Sequence, residues 1–328
     1  MTDLSIVIVS WNSRDVLAEC LTSLEREVLG RSDAARLASE TLVVDNASSD
    51  GTPGFVRERF PFAEVIELPG NRGFAGGCNV GLRRAKGRCI ALLNSDTILR
   101  HDALERCVRF LDAPPDVAIV GPQLVHPDGS KQNSIHNEPG LLAELVPKGV
   151  LETLLPRRFP SKRYEHAAPI DVQAVLGACL VVRREALDAV GPLCEDYFFF
   201  LEETDWCARM RRAGWRVVHV PDARVVHLSG ASSKRKLPAE TRIEFHRSLY
   251  HFFRAHRTPL AAAALVALRF AKALLYVGVE APAALVSRRA RARWRTRWRV
   301  LLWHLRGRPE GWGLAPQRGR GAPRAGRP

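Results

Sequence analysis

The sequence contains no pair of cysteines at the C-x-x-C spacing typical of zinc sites and redox motifs. Its seven cysteines are an odd number and are scattered along 328 residues. This pattern argues against a disulfide framework and a structural zinc site, and it indicates that most of the thiols are small buried side chains. The amino terminus also lacks a basic segment followed by an apolar one. We therefore predict no signal peptide and a cytoplasmic protein.

Acidic residues are nearly absent from the carboxy-terminal end of the chain. From Arg288 onward the sequence has thirteen arginines and one acidic residue, Glu310. This segment therefore carries +12 of the formal net charge of +14, and the remainder is close to neutral. Because the apolar fraction is ordinary for a globular protein, disorder is excluded for most of the length. The Gly-, Pro- and Arg-rich residues 311–328 are the exception, and we predict that they are disordered.

The Ala/Leu-rich residues 259–286 contain no uninterrupted apolar run long enough to cross a bilayer. Polar residues recur in it at spacings of three and four: Arg269, Lys272, Tyr276 and Glu280. One face of a helix would carry them, which predicts an amphipathic helix lying in the membrane surface. Arginine and tryptophan at helical spacing in residues 291–303 suit an anionic headgroup region. A nucleic-acid- or partner-binding tail is the alternative; because the amphipathic segment precedes the tail, we favour the membrane and expect no nucleic acid.

Short apolar runs alternate with helical patterns through the first hundred residues. Four of these runs are typical of buried strands: residues 5–9, 41–44, 63–67 and 88–93. The alternation of strand and helix predicts a parallel α/β sheet. Three later runs predict further strands: residues 117–120, 216–220 and 224–227. Between them, residues 126–168 are polar and Pro-rich without a clear period, which predicts a long functional or mobile loop.

Asn94, Ser95 and Asp96 directly follow the apolar residues 90–93. A carboxylate just beyond the end of a parallel strand lies at the carboxyl edge of the sheet, where open α/β folds bind ligands. Mg²⁺ usually combines one or two carboxylates with substrate phosphates. Asp96 is therefore a candidate metal ligand for a nucleotide diphosphate. The alternative is a helix N-cap, because Asp followed by Thr is also a capping signal.

Two other segments follow strands at the same predicted edge. Asp45 ends the second strand, where its carboxylate can accept from a nucleobase N–H or a ribose hydroxyl; an Asx-turn is the alternative. Residues 71–81 contain four glycines and lead into a helix, whose amino terminus favours phosphate. Their spacing is not that of a G-x-G-x-x-G dinucleotide fingerprint, and plain turn chemistry is the alternative here.

A further segment is acidic. Glu202, Glu203 and Asp205 follow four apolar residues, and three carboxylates so close together are costly to bury without cations or substrate hydroxyls. Like charges and low dielectric raise a carboxylate pKa, as a general base near neutral pH requires. The acidic first turn of a helix is the alternative. His227, at the end of a predicted strand, is a candidate second metal ligand beside Asp96, because imidazole suits metals such as Mn²⁺.

Taken together and in this order, these segments resemble the inverting nucleotide-sugar transferases of glycosyltransferase family 2 over roughly residues 4–233. The similar segments are V-I-V-S-W-N (7–12), V-D-N-A-S-S-D-G-T (44–52), N-R-G-F-A with the following Asn79 and Gly81 (71–81), N-S-D (94–96), E-E-T-D (202–205) and His227. The W-N and N-R-G-F-A variants look most like the rhamnosyltransferase-type subgroup, which extends bacterial surface polysaccharides.

The resemblance implies a GT-A fold, an α/β architecture with a mostly parallel, Rossmann-like central sheet flanked by helices. It implies a catalytic domain over residues 1–235, with a nucleotide-binding half (1–100) and an acceptor half (101–235). An amphipathic helical extension that associates with the membrane would follow at residues 236–310, and a disordered basic tail at 311–328.

The resemblance also implies roles for individual residues. The donor nucleotide would be bound by Val9, Ser10, Asn12, Asp45, Asn71, Gly73, Asn79, Asn94, Ser95 and Asp96. Asp96 and His227 would hold Mg²⁺ or Mn²⁺. The catalytic group would consist of Glu203, as the base, with Glu202 and Asp205. Two positions depart from the family pattern: Asn94 replaces the first Asp of D-x-D, and Glu203 stands where Asp is usual.

The expected donor is a dTDP- or UDP-sugar, with L-rhamnose indicated by the resemblance, and the expected acceptor is a polyprenyl-linked glycan or a polysaccharide. The enzyme would lie at the inner face of the plasma membrane. A nucleotidyltransferase is an alternative, but the first strand is not followed by a basic Gly-rich phosphate loop. A catalytically silent nucleotide-sugar-binding scaffold is another, and the departures at Asn94 and Glu203 favour it.

Overall fold

The computed structural model describes residues 2–30, 37–100, 102–156, 158–160, 166–228 and 238–315. Over these residues the chain divides into two compact units. The sheet unit comprises Met1–Glu138, Pro147–Cys194 and Glu202–Ala231, and the helical unit comprises Pro139–Val146, Glu195–Leu201 and Ser232–Pro328. The predicted domain boundary at residue 235 lies outside the described residues.

Strands and helices alternate along the described chain. The strands are β1 (Leu4–Ser10), β2 (Ser39–Asp45), β3 (Ala63–Glu67), β4 (Cys89–Asn94), β5 (Thr97–Leu99), β6 (Val117–Val125), β7 (Ile135–His136), β8 (Ile170–Asp171), β9 (Ala174–Val175), β10 (Cys179–Arg183) and β11 (Arg216–His227). The helices are α1 (Arg14–Leu24), α2 (Thr52–Arg59), α3 (Gly73–Arg84), α4 (Ala103–Asp112), α5 (Leu141–Leu145), α6 (Lys148–Leu154), α7 (Arg184–Val190), α8 (Glu202–Arg212), α9 (Pro238–His256), α10 (Pro259–Val286) and α11 (Arg288–Leu305).

The amino-terminal half of the sheet is parallel, as predicted. β3, β2, β1 and β4 lie side by side in that order and run in the same direction. β1 is apolar on both faces: Ile6 and Ile8 pack into a core with α1 and α4, and Val7 packs into a second core with α3. Burial on both faces explains why these strands form continuous apolar runs in the sequence.

The second half of the sheet mixes directions. β10 runs antiparallel to both β4 and β6, β11 runs parallel to β6, and β5 lies antiparallel to β11 at the end of the order. The two strands predicted at residues 216–220 and 224–227 form one strand, β11, with a register shift between Val220 and Arg224. Asp96 is followed by a strand, not a helix, so the alternative of a helix N-cap at Asp96 is wrong.

Residues 126–168 are not the structureless loop that their composition predicts. They include β7, which pairs with β9, and two short helices, α5 and α6. These elements have two, five and seven residues. Elements this short do not show a hydrophobic period, so the sequence pattern had no signal for them.

Two glycines of the segment 71–81 allow α3 to pack directly on β1. A Cβ at Gly77 would lie 2.7 Å from Val9 Cγ1, and one at Gly81 would lie 2.2 Å from Val7 Cγ1. No side chain fits at such distances, so glycine is required there for close helix–sheet packing.

In the helical unit, α10 turns its charged residues toward the protein. Arg269 Nη2 donates to Glu144 Oε1 at 2.6 Å, and Lys272 Nζ donates to the carbonyl oxygen of Glu144 at 2.7 Å. Glu280 pairs with Arg297 of α11 at 2.8 Å. Every fully exposed residue of α10 is uncharged. Of the predicted polar face, the three charged residues contact the helical unit itself and Tyr276 is exposed, so the exposed surface of α10 is uncharged and mostly apolar.

Within the described chain, α10 is the one helix long and apolar enough to cross a membrane. It has 28 residues. At ~1.5 Å per residue this corresponds to about 42 Å, against about 30 Å for the hydrocarbon core of a bilayer. The uninterrupted apolar runs are short, as the sequence indicates, but the charged residues between them do not end the helix, so the whole helix is long enough to span a bilayer.

Two further predictions concern the carboxy-terminal residues and the cysteines. The backbone N–H groups of Leu314 and Ala315 donate to Glu244 Oε2 at 3.0 and 3.3 Å, so the predicted disorder of residues 311–328 is wrong for residues 311–315. The remaining tail, residues 316–328, lies outside the described residues. Six of the seven cysteines are buried, as predicted for most of the thiols.

Candidate active site

The carboxyl ends of three parallel strands meet at one edge of the sheet unit. In the register of β1 with its neighbours, Ser10 lies opposite Asp45 of β2 and Val9 lies opposite Asn94 of β4. Four residues predicted from the sequence to bind the donor nucleotide are therefore brought together by strand pairing alone. The side chains that follow these strand ends form the candidate site.

Asp45 is buried, with 2% of its surface exposed. Its Oδ2 accepts from the backbone N–H of Ser48 at 2.9 Å, so the Asx-turn considered as an alternative is present. Its Oδ1 is buried and has no hydrogen-bond partner among the described residues. An unsatisfied buried carboxylate oxygen is costly, so a ligand N–H or O–H group would stabilise Oδ1. Because Oδ2 alone makes the turn, one side chain can have both roles.

Asn12 holds the loop that follows β2. Its Oδ1 accepts from the N–H of Ser49 at 2.8 Å, and its own N–H donates to Ser48 Oγ at 2.9 Å. Asn12 and Ala47 both have positive φ, 48° and 64°, which non-glycine residues rarely adopt. Strained backbone of this kind clusters at binding sites. The amide of Asn12 fixes the shape of the predicted nucleotide site through this loop.

Asn46 lies at the candidate site but was not among the residues predicted to bind the donor. Its Nδ2 donates to Asn71 Oδ1 and to the carbonyl oxygen of Gly73, both at 3.0 Å, and its Oδ1 accepts from Arg72 N–H at 2.8 Å. Gly73 has a φ of 75° and starts α3. Asn46 therefore joins the end of β2 to the start of α3. Its position beside Asp45 at a strand end was the signal available.

Asn79 differs in placement from the other predicted donor-binding residues. It lies buried within α3, where its Nδ2 donates to the carbonyl oxygen of Leu193 at 2.8 Å and its Oδ1 accepts from Leu193 N–H at 3.0 Å. Both ends of the amide are thus bonded to one backbone position. In the structure Asn79 anchors the segment after α7, which is a packing role that the sequence does not indicate.

A chain of hydroxyl groups links the ends of β1 and β4. Ser10 Oγ and Ser13 Oγ are 2.9 Å apart, and Ser13 Oγ donates to Ser95 Oγ at 3.2 Å. Ser95 immediately precedes Asp96. Ser10 and Ser95 were predicted to bind the nucleotide. Ser13, which directly precedes α1, was not predicted, and it lies at the same edge.

Asp96 and His227 are brought together by strand pairing. β5 pairs with β11 so that His227 lies opposite Thr97, and the N–H of Leu228 donates to the carbonyl oxygen of Asp96 at 2.9 Å. As a result His227 Nε2 lies 3.3 Å from Asp96 Oδ1, and each side chain is only 14% exposed. One carboxylate oxygen and one imidazole nitrogen at this separation fit a Mg²⁺ or Mn²⁺ ion.

Glu203 is buried in the first turn of α8, with 8% of its surface exposed. Burial raises the pKa of Glu203 to about 7. Gly177 lies against it, since a Cβ at that position would be 3.5 Å from Glu203 Cγ. The next residue, Ala178, accepts from Asn94 N–H at 2.9 Å. The segment between β9 and β10 therefore places Glu203 near the end of β4.

Glu202 and Asp205 share the first turn of α8 with Glu203, so the alternative of an acidic helix start is also present. Asp205 Oδ2 pairs with Arg209 Nε at 2.9 Å. Arg209 in turn donates to the carbonyl oxygens of Val190 and Pro192. Asp205 is thus held in a local network, whereas no salt bridge to Glu203 occurs among the described residues.

An α/β sheet of this order, with acidic side chains at the carboxyl edge of its parallel strands, is the architecture of sugar transferases with a GT-A fold. Among solved structures, the mannosyltransferase PcManGT from Pyrobaculum calidifontis, in complex with GDP-Man and Mn²⁺, is similar, with a TM-score of 0.52 and 17% identity over 93% of this chain and 88% of that chain. The predicted fold is confirmed.

Sequence comparison adds the family. The family model for glycosyl transferase family 2 matches residues 5–191. The N-acetylglucosaminyl-diphospho-decaprenol L-rhamnosyltransferase of Mycobacterium tuberculosis is 30% identical over 244 residues, 70% of this chain and 79% of that protein. The dTDP-rhamnosyl transferase RfbF of Shigella flexneri is 25% identical over 172 residues, 52% of this chain and 53% of that protein. The chain belongs to glycosyltransferase family 2 and is a glycosyltransferase.

Proposed function

We propose that the protein is an inverting glycosyltransferase that moves a sugar from a nucleoside diphosphate to a hydroxyl of a lipid-linked glycan or polysaccharide. One observation carries the proposal: Glu203, a buried carboxylate with a pKa of about 7, lies near the strand edge that holds Asp45 and Asp96. The names of the relatives support L-rhamnose as the sugar, dTDP as the nucleotide and a polyprenyl diphosphate-linked acceptor.

Asp45 would bind the nucleoside of the donor. Its buried Oδ1 would accept from a nucleobase N–H or a ribose hydroxyl, which would satisfy the oxygen that lacks a partner in the described protein. The amino terminus of α3 at Gly73 and the hydroxyls of Ser10 and Ser95 would face the rest of the donor. Asn12 and Asn71 would act through the loops that their amides hold.

Asp96 and His227 would hold a Mg²⁺ or Mn²⁺ ion. When bound, the ion would neutralise the charge that develops on the diphosphate leaving group. Because Asn94 stands at the first position of D-x-D, this site carries one negative charge fewer than a pair of aspartates. The imidazole of His227 therefore has a larger share in holding the ion than it would beside two carboxylates.

Glu203 would act as the base. As the acceptor oxygen attacks the anomeric carbon, its proton passes to the Glu203 carboxylate. The bond from the anomeric carbon to the diphosphate oxygen breaks, and the nucleoside diphosphate leaves with the electron pair. One displacement inverts the anomeric centre without a covalent intermediate. A pKa near 7 suits this role, because a general base works best when its pKa is near the working pH.

The helical unit would bind the cytoplasmic face of the membrane, where a polyprenyl-linked acceptor resides. The exposed face of α10 is apolar, and the exposed side chains of α11 include six arginines: Arg288, Arg289, Arg291, Arg293, Arg295 and Arg299. An apolar face beside a row of arginines suits a bilayer surface with anionic headgroups. This arrangement supports the peripheral association predicted from the sequence, with the apolar face of α10 toward the lipid.

The decisive experiment is nucleotide release from dTDP-rhamnose and a panel of UDP-sugars, with and without Mg²⁺ or Mn²⁺, in the presence of lipid-extract acceptors. We expect metal-dependent release from one donor, lost in Asp96→Ala and Glu203→Gln. The matched control is Glu185→Gln, which changes an exposed carboxylate outside the site. Nucleotide binding without release from any donor would favour a silent binding protein, and absence of nucleotide binding would refute the assigned roles of Asp45 and Asp96.

A further inference from the structure

The topology brings a glutamine to the face of His227 opposite Asp96. β6 and β11 are parallel, and Val125 lies opposite Val226, so the residues that follow each strand are neighbours. After β6 the chain reverses over residues 126–130, and Lys131 returns to pair with Val125. Gln132, the next residue, therefore reaches the end of β11.

The Gln132 side chain contacts two histidines there. Its Nε2 donates to the carbonyl oxygen of His227 at 2.6 Å and lies 2.8 Å from His126 Nδ1, and its Oε1 lies 3.1 Å from His227 Nδ1. Gln132 is buried, with 7% of its surface exposed. A buried amide with all of these positions paired has little freedom to change orientation.

The hydrogen bond to the His227 backbone identifies which end of the Gln132 amide is the nitrogen and which is the oxygen. A carbonyl oxygen can only accept, so the atom 2.6 Å from the His227 carbonyl must be the amide nitrogen. The amide oxygen then faces His227 Nδ1, and since an amide oxygen can only accept, Nδ1 must carry a hydrogen. In a neutral imidazole the other nitrogen, Nε2, is left with its lone pair, and Nε2 is the atom that faces Asp96.

We propose that Gln132 is a positioning residue that fixes His227 as the Nδ1–H tautomer and directs the lone pair of Nε2 toward Asp96. The inference rests on the proposed function, because it is the metal role of this pair that gives the tautomer its purpose. With the ring neutral, two electron-pair donors lie 3.3 Å apart, an arrangement that a cation between them stabilises. Partners that orient a ligating histidine in this way typically contribute about 10- to 100-fold to metal affinity.

The test compares Gln132→Leu with Gln173→Leu. Gln173 is a matched control, because it also bridges two backbone groups of the sheet unit: its Nε2 donates to Arg158 carbonyl and its Oε1 accepts from Glu138 N–H. The first measurement is the tautomer of His227 in metal-free protein by ¹H–¹⁵N NMR of labelled histidines, assigned with His227→Ala, at a pH where the ring is neutral. The second is Mn²⁺ affinity, by titration of the free-ion EPR signal.

We expect wild-type protein and Gln173→Leu to show Nδ1–H, and Gln132→Leu to lose this preference and to bind Mn²⁺ about 10- to 100-fold more weakly. A wild-type His227 that is protonated on Nε2 when neutral would overturn the inference whatever the activity. So would an unchanged Mn²⁺ affinity in a folded Gln132→Leu. Failure of the wild-type protein to bind Mn²⁺ would refute the metal role within the proposed function, and the tautomer measurement would still decide what Gln132 does.

Discussion

Both units contain paired charges that are largely shielded from solvent, such as Asp205 with Arg209 in the sheet unit, but the sheet unit also buries two carboxylates that are not paired in this way. In the helical unit, Glu144 meets Arg269 at 2.6 Å, and the charge is balanced within the protein. In the sheet unit, Asp45 and Glu203 are buried with no salt-bridge partner among the residues described. Burial of an unpaired carboxylate is costly. Paired charges stabilise the fold, whereas we expect the two unpaired carboxylates to be stabilised by a bound ligand that has hydrogen-bond donors.

We expect the largest effect on activity when the carboxylate of Glu203 is replaced. Glu203→Gln keeps the size of the side chain but removes its ability to take a proton, so we expect sugar transfer to fall by about 10²- to 10⁴-fold. The affinity for the nucleoside diphosphate, measured by calorimetry, is expected to stay within about threefold of the wild-type value. A tenfold change would correspond to ~1.4 kcal/mol of binding free energy. Transfer at the wild-type rate by this variant would show that another group is the base.

The apolar face of the helical unit provides the next test. Leu274 and Leu275 are exposed on α10, and burying a leucine in lipid is worth about 1.5–3 kcal/mol. Changing both to serine is therefore expected to weaken binding to anionic vesicles about 100-fold or more. Leu154→Ser is the control, since Leu154 is exposed on α6 in the sheet unit. Equal vesicle binding by all three proteins in a flotation assay would exclude α10 as the membrane-binding surface.

The paired charges predict an effect on stability rather than on activity. Arg269→Ala leaves the carboxylate of Glu144, which is 15% exposed, with only the more distant ammonium of Lys272 at 3.9 Å. We expect the variant to lose about 1–3 kcal/mol of unfolding free energy in urea. Asp45→Asn, which neutralises an unpaired buried carboxylate, is expected to cost less or to stabilise. The reverse ranking of the two variants would contradict the distinction between the units.

The last prediction concerns pH. Burial raises the pKa of Glu203 from 4.5 to about 7, so between these values the folded state keeps a proton that the unfolded state has lost. The folded state then binds more protons, and its stability falls as the pH rises through this window. Glu203→Gln lacks this dependence, so its melting temperature relative to wild type should increase from pH 5 to pH 8. A constant difference across that range would mean that the pKa is not raised.

The parallel half of the fold follows from sequence, and the remainder depends on distant partners. β1, β2 and β4 are buried on both faces, so each appears as an apolar run that ends at a polar residue. The order of β10, β6, β11 and β5 is set by pairings between residues far apart in the chain, which no local pattern contains. For α10 the spacing of its polar residues correctly predicts a polar face, but periodicity does not say which neighbour that face contacts.

The residues of the candidate site also fall into those that the sequence indicates and those that depend on distant partners. Asp45, Asp96 and His227 were found because each stands at or just beyond the end of a predicted strand, and strand ends gather at one edge. Asn46 bonds to Asn71, 25 positions away in the chain, and Gln132 bonds to His227, 95 positions away, and a local sequence pattern does not contain such distant partners. Sequence thus indicates charged groups at a site more readily than the neutral groups that orient them.

The distribution of thiols has a practical consequence. Six of the seven cysteines are buried, and burial raises the pKa of the Cys20 and Cys207 thiols to about 12. Thiolate is the reactive form, so these side chains are protected from alkylating reagents in the native protein. Cys194 is partly exposed. The natural sequence therefore offers one position for a fluorophore or spin label, and the slow labelling of the other thiols would report how often the sheet unit opens.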